Sequence, residues 1–504
     1  WLFCMMRQTE REGPRETLRT RMGWLHGWVG FLCGLCLACI FATGTLTVFD
    51  TELTRWMQPE ITVNTDVAPT DTALREAVRI VRSQQAQGIS AFLNLPSHRF
   101  PALQVLHYNG HEFTGDVLDP RSGALIPARE TAGGKFFYDF HYTLRSADIG
   151  GVRIVNILGV GLLVAVVSGI VIHLRALLPD LVMLRLSVPP LRSWLDGHLL
   201  AGVLFLPFMV MCAYTGVLVH ADRLFPAQPA AAHHHGGPGH HGHGHGQPPP
   251  DAAALLPVPP LGPLLAQARE SMQGRDCGFI LFAADRITIS ASDAAGPYMS
   301  RDHVDFSLPD GRLLATTLNQ GRVATTMQLV RGLHYARFAP PGLRWLYFIS
   351  GMAGTAVITT GLVVFLMKRR RKSGHLVAFR LAEGGTISVT AGLPLSMLVY
   401  LWANRLLPPA LPGRDMWEID LFFTAWGLCL LHGMGRALSR HAASGWHEQL
   451  GGIGVLGCGL PLLDILTAPG AWAACPSLHA AVAGVSLLAG SVALYAARRV
   501  GRVA

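Results

Sequence analysis

The chain has 504 residues, 50% of them hydrophobic and 14% charged, with a formal net charge of +9. Soluble domains carry about 25% charged residues. Here the apolar residues also gather into blocks of the roughly 20 residues that a helix needs to cross a bilayer. A soluble globular protein is therefore excluded, and the lipid bilayer is the first partner implied. The positive charge does not point to nucleic acid, because the basic residues sit at the ends of the apolar blocks rather than along a binding face.

The chain opens with a basic arm, residues 1–23, carrying Arg7, Arg11, Arg15, Arg19 and Arg21. A first span follows at 24–49. It is too long for a cleaved signal peptide, and because the sequence begins at Trp1 a start upstream is expected. Its Cys33, Cys36 and Cys39 read as small apolar packing, and the nine cysteines define no disulfide framework. A polar stretch, 50–149, precedes a second span at 150–174. A loop at 175–194 carries Arg175, Arg185 and Arg192, and a third span at 195–220 follows. The second polar stretch, 221–341, leads to a fourth span at 342–367. The run Lys368-Arg369-Arg370-Arg371-Lys372 opens a basic loop at 368–385. The remainder, 386–504, holds about four more apolar blocks, near 391–406, 417–437, 449–467 and 474–497, the first broken by Gly392 and Pro394. Arg498, Arg499 and Arg502 close the chain. Basic residues are retained on the cytoplasmic side of short loops, so both termini are expected inside an inner membrane, with both polar stretches outside.

Both polar stretches read as small α+β modules. The first opens with an amphipathic helix at Thr70–Ser83, with Leu74, Ala77, Val78 and Val81 on one face. It continues with alternating strands such as 102–106 and a turn at Asp119–Gly123. The second opens with a helix at Leu261–Ser271, has strands near 278–282 and 286–290, and reaches a turn at Pro309-Asp310-Gly311-Arg312.

The halves share spacings. His26 precedes Gly44 of Thr43-Gly44 by 18 residues, and His198 precedes Gly216 of Thr215-Gly216 by 18. His141-Tyr142 leads to Ser168-Gly169 after 28 residues, and His334-Tyr335 to Thr360-Gly361 after 27. The reading is a duplicated unit of span, external module and span, its copies parallel about an axis along the membrane normal.

Ionisable residues within spans are functional candidates by default. His26 and His198 fall near the cytoplasmic boundary, where a twofold axis turns them toward each other. A neutral imidazole from each of two facing helices is what a six-coordinate b-type haem needs. His141 and His334 form the matching outer pair. His173 and His220, each four residues after a glycine, are alternative ligands at the inner and outer face. The Ser/Thr-Gly pairs are expected to serve close helix packing. His432, His441, His447 and His479 lack such partners and read as loop or interface residues. Asp420 and Asp464 are the acidic candidates within the last blocks. His233, His234, His235, His240, His241, His243 and His245, among glycines, form a linker read as disordered. It could capture metal weakly or serve only as a solvated connection.

The chain resembles the PepSY-associated transmembrane family, which includes haem-containing ferric-siderophore reductases of the bacterial inner membrane. The likeness is carried by Trp24-Leu25-His26-Gly27-Trp28-Val29-Gly30 with Thr43-Gly44, by Phe140-His141-Tyr142, and by Leu199–Gly216 after His198. Leu333-His334 and the Thr360-Gly361 exit into Lys368–Arg371 complete it, over about residues 20–372. The turns at Asp119–Gly123 and Pro309–Gly311 look like the ends of PepSY modules. The resemblance implies two haem b groups and an oxidoreductase that reduces ferric iron or a ferric siderophore at the periplasmic face during iron uptake. The implied ligands are His26, His198, His141 and His334, with His173 and His220 in reserve. Residues 385–504 depart from the basic four-span pattern. No Gly-rich dinucleotide site is visible, so electrons would come from quinol or a separate donor protein. Two other classes compete: a membrane-anchored PepSY binding or regulatory protein, and a metal permease. The first requires no paired histidines, and the second would place acidic residues inside spans.

Overall fold

The computed structural model describes residues 17–63, 68–108, 113–146, 150–173, 190–221 and 256–501. The His-rich segment 233–245, with its seven metal-ligand candidates, lies outside the described residues, as do Arg7, Arg11, Arg15, Arg175 and Arg185.

In chain order, α1 (Leu18–Thr47) is capped by the Thr17 hydroxyl, which accepts the Thr20 amide at 3.3 Å. A short α2 (Asp50–Met57) and α3 (Asp71–Ala86) lead into strands β1 (Ala91–Asn94), β2 (Leu103–Tyr108), β3 (Phe113–Leu118) and β4 (Leu125–Ile126). Then come α4 (Lys135–Thr143), α5 (Gly151–His173), α6 (Pro190–Leu204) and α7 (Leu206–Val219). The second polar stretch gives α8 (Leu261–Ser271), β5 (Cys277–Phe282), β6 (Arg286–Ala291), β7 (His303–Ser307), β8 (Leu313–Thr317) and α9 (Arg322–Tyr335), before α10 (Pro341–Ser373). The last helices are α11 (Val377–Leu406), α12 (Arg414–Leu438), α13 (Ala442–Thr467), a short α14 (Pro469–Ala474) and α15 (Pro476–Gly501).

Seven of these, α1, α5, α10, α11, α12, α13 and α15, are long and apolar enough to cross a membrane. Side chains such as Val167, Leu431 and Leu466 stand 60%, 69% and 70% exposed, and they belong to apolar faces that water would not tolerate. The chain is a polytopic helical membrane protein. The third span, expected to run unbroken over 195–220, is instead α6 and α7 bent by 67°. Phe205 leaves helical geometry at φ −101° and ψ 11°, and Pro207 in the first turn of α7 has no N–H to continue the ladder. The fifth apolar block, expected near 391–406, begins earlier, at Val377. Its helix contains a π-turn at Ser388–Gly392, just ahead of Pro394, where the regular bonding pattern cannot continue.

The polar stretches are not two separate sheets. They join into one antiparallel eight-stranded sheet of order β4-β3-β2-β1-β5-β6-β7-β8. At the central seam Phe92 pairs with Leu281, Leu93 with Ile280, and Asn94 with Phe279. Leu93 and Ile280 are fully buried, each contributing about 1.5–3 kcal/mol. Above this seam α3 presents Leu74, Ala77 and Val81 at helical spacing, and α8 presents Leu261, Leu264 and Ala268; both pack into the same core. Thr70, expected to open the first helix, is its N-cap, accepting the Ala73 amide at 3.2 Å. The turn at Asp119 closes on its own carboxylate. The Arg121 and Ser122 amides donate to Asp119 Oδ1 at 2.8 and 2.9 Å, holding that carboxyl below its usual pKa.

Candidate functional site

Two pairs of imidazoles meet, carried by α1, α4, α6 and α9. His26 of α1 and His198 of α6 have ring centroids 6.3 Å apart at an interplanar angle of 70°. His141 of α4 and His334 of α9 have centroids 6.2 Å apart at 28°. The 18 residues of α1 from His26 to Gly44, which touches His141, place the pairs about 27 Å apart along that helix.

Each ring is held in the same way. His26 Nδ1 lies 2.8 Å from the Ala165 carbonyl, His141 Nδ1 2.8 Å from that of Ile40, and His198 Nδ1 2.9 Å from that of Val357. A carbonyl only accepts, so Nδ1 carries the proton and Nε2 keeps its lone pair. His334 Nδ1 lies 3.1 Å from the Thr215 hydroxyl, whose own proton is donated to the Met211 carbonyl at 2.6 Å. In all four imidazoles Nδ1 is thus engaged, and in the neutral ring that leaves Nε2 as the available donor atom.

The residues that hold them are the Ser/Thr-Gly pairs. A Cβ built on Gly169 would lie 3.1 Å from His26 Cε1, and one on Gly361 3.2 Å from His198 Cε1. On Gly44 it would lie 2.5 Å from His141 Nδ1, and on Gly216 2.9 Å from His334 Cε1. Ser168 and Thr360 stand beside the Nδ1 atoms of His26 and His198 at 3.4 and 3.2 Å. The expectation that these pairs serve helix packing is corrected: the glycine clears space for an imidazole, and the preceding helical turn supplies its acceptor.

This geometry can be tested against a haem. A metal lies about 2.0–2.1 Å from an imidazole nitrogen, with the ring centre about 1.1 Å further back, so two axial rings on one metal have centroids roughly 6 Å apart. Both pairs fit. Second-shell carbonyls that fix the tautomer are the usual accompaniment of a ligating histidine. Among the described residues no group of three or more His, Cys, Asp or Glu side chains could hold a metal ion, so the chemistry on offer is that of ligand pairs.

The His141/His334 pair lines a cavity with Tyr138, Tyr142, Asn156, His220, Tyr335 and Arg337 among its polar walls. His220 stacks on Tyr142 at 6.1 Å, and its carbonyl accepts from Asn156 at 2.6 Å. His220 thus lines the same cavity beside the facing pair. His173 ends α5 on the His26/His198 side, close enough to His198 for electrostatic interaction. Arg337 also reaches Asp50 at 2.7 Å, and Asp50 accepts from Arg99 at 3.0 Å. Glu52 bonds Arg99 at 2.6 Å and also Arg344. This network ties the end of the first span to the second half of the chain. Burial alone would raise the Asp50 pKa, but Arg337 and Arg99 draw it down from 3.8 to about 2.

The C-terminal helices carry buried polar groups beyond the acid expected at Asp464. Asp464 is buried, accepts from Trp56 Nε1 at 3.0 Å, lies 2.7 Å from His479 Nδ1 and forms an ion pair with Arg405 at 2.7 Å. His479 is thus a buried interface residue, the second of the two roles expected of it. Glu418 and Glu383 are buried acids as well, whereas Asp420 is exposed. The missed signal was Arg405, Arg414 and Glu418 at the edges of apolar blocks, where a charge needs a partner. His432 pairs with Glu448 at 2.7 Å, and His447 Nδ1 lies 2.9 Å from the Ala497 carbonyl.

Fold and site together define a multi-pass helical membrane protein with two facing histidine pairs beneath one eight-stranded sheet. The chain belongs to the family described as the PepSY-associated TM region, which matches residues 23–368. It is similar to the uncharacterized protein PA4219 of Pseudomonas aeruginosa, 26% identical over 300 residues that cover 54% of this chain and 73% of the relative. Residues 377–501, with α11 to α15, lie beyond the family match.

Proposed function

We propose that the chain is a haem-containing electron-transfer protein of the bacterial inner membrane, reducing ferric iron or a ferric siderophore at the periplasmic face. The observation that carries this reading is the matched geometry of the two pairs, with centroid separations of 6.3 and 6.2 Å and their Nδ1 atoms engaged. In this reading α1–α5 and α6–α10 are two copies of one unit, and the mirrored strand order about the β1–β5 seam supports that duplication. In this reading the basic clusters mark the cytoplasmic face, with His26 and His198 toward it and His141 and His334 toward the periplasm.

His26 and His198 would hold one haem b and His141 and His334 a second. Bound haem supplies reversible one-electron chemistry. The protein fixes each imidazole tautomer, excludes water with the apolar walls of the outer cavity, and spaces the pairs across the membrane. Arg337, paired to Asp50, sets a compensated charge at the outer cavity. Iron(III) prefers hard oxygen ligands, so reduction to the softer iron(II) loosens a chelate. The electron donor in this reading is quinol or a separate protein.

The test is a reduced-minus-oxidised visible spectrum of the purified full chain with a haem assay. Low-spin b-type bands and about two haems per chain support the reading. A chain that stays colourless when produced with ample haem overturns it.

A further inference from the structure

We infer that the C-terminal helices α11 and α12 act as a clamp that positions His141, with Glu418 and Tyr400 as its positioning residues. The segment 129–134 runs directly into α4, and each of its turns is grasped from the C-terminal side. Glu418 Oε2 accepts the Thr131 hydroxyl at 2.6 Å and the Ala132 amide at 3.3 Å. Its other oxygen accepts from Asn404 at 2.7 Å and from Arg414. Arg414 donates to the Glu130 carbonyl at 2.9 Å, Arg129 to that of Asn404 at 3.0 Å, and the Tyr400 hydroxyl to that of Gly133 at 2.8 Å. Glu418 and Arg414 are fully buried, so these bonds are shielded from competing water.

The aromatic face of α4 completes the grip. Phe136 stacks on Tyr400 at 4.8 Å and meets Phe422 edge-on at 4.9 Å, while Phe140 meets Trp426 at 5.8 Å. His141 follows Phe140 directly, with Nδ1 on α1. One face of α4 is thus seated on the C-terminal bundle while the histidine is aimed at α1 and His334. The helix of His334 is held differently, by Tyr347 donating to the Leu333 carbonyl at 3.0 Å. A charged cluster of this depth is costly as a stability device, since breaking one partner leaves a buried charge. Its product is a fixed register for the segment that carries His141.

That His141 is an iron ligand rests on the haem reading; the clamp itself does not. The experiment is amide hydrogen exchange on the full chain, comparing Glu418→Gln and Tyr400→Phe with the parent and with His432→Ala. His432 lies in the same bundle and bonds Glu448. We expect exchange over 129–143 to rise about tenfold in both clamp variants, unchanged over 322–335, and unaffected by His432→Ala. In the haem-loaded chain the same variants should shift the spectrum of one haem and leave the other. Unchanged exchange over 129–143 in both variants, or an equal rise over 322–335, overturns the clamp. A parent chain without haem tells against the haem reading alone, and the exchange result still decides the clamp.

Discussion

Gly44 and His141 are in contact across two helices: a Cβ on Gly44 would stand 2.5 Å from the Nδ1 of His141. The same relation joins Gly216 to His334, Gly169 to His26 and Gly361 to His198. Gly44→Ala must therefore displace an imidazole whose Nδ1 is bonded to the Ile40 carbonyl, a small-to-large change costing about 1–3 kcal/mol. We expect Gly44→Ala to lose the outer haem and keep the inner one, read as haem per chain falling by about half. Gly27→Ala on the same helix, where the nearest side-chain atom is 4.0 Å away, should leave both.

The outer ligands can be separated from their neighbour. His334 faces His141, whereas His220 stacks on Tyr142 in the same cavity. His334→Ala should remove one haem, leaving about one per chain, while His220→Ala should keep both and alter only the redox potential of the outer one. Loss of a haem in His220→Ala with retention in His334→Ala would reverse the assignment. His198→Ala is the corresponding test at the inner pair, and it should spare the outer bands.

The junction between halves has a pH dependence of defined sign. Asp50 has its pKa lowered from 3.8 to about 2 in the folded chain. A depressed carboxylate contributes stability that is fully present above its unfolded pKa and is lost as pH falls through the folded value. The Asp50 contribution should therefore hold through neutral pH and disappear between about pH 4 and pH 2. Asp50→Asn should remove that step, seen as a flatter acid limb when unfolding of the detergent-solubilised chain is followed from pH 6 to pH 2. It should also destabilise the chain at neutral pH by about 1.5–3 kcal/mol, because Arg337 and Arg99 lose the carboxylate they share.

The four inner and outer histidines were legible because two properties coincide in one dimension. An ionisable residue within an apolar block is costly, and a duplicated chain repeats its spacing, as His26 to Gly44 and His198 to Gly216 do. What the glycines were for was not legible. His141 touches Gly44 of another helix, and neither residue carries a local signature of that contact. The modules were readable as α+β from the periodicity of Leu74, Ala77 and Val81, but their fusion was not: β1 pairs with β5 through Leu93 and Ile280, separated by nearly two hundred residues. Nor was the bend at Phe205 anticipated, although Pro207 stood in view. In the C-terminal region Asp464 was visible as an acid near a block end. Its partners Trp56, Arg405 and His479 come from three different segments, and only folding brings them together.

That cluster yields the last prediction. Asp464 serves Arg405, His479 and the Trp56 indole together, and Arg405 also lies 3.9 Å from the centre of the Trp56 ring. Trp56 belongs to α2, so the cluster fastens the C-terminal bundle to the segment that follows the first span. Asp464→Asn keeps the shape of the side chain but leaves Arg405 charged and uncompensated in a buried site, a loss of about 3–5 kcal/mol. Trp56→Phe removes one hydrogen bond and keeps the aromatic surface under Arg405, at about 1–2 kcal/mol. We therefore expect Asp464→Asn to lower the thermal midpoint of the solubilised chain by clearly more than Trp56→Phe. Exchange protection should fall first in residues 50–57 and 469–479, ahead of the sheet. Equal effects of the two substitutions would mean that the cluster is held by packing on Trp56 and not by the buried charge pair.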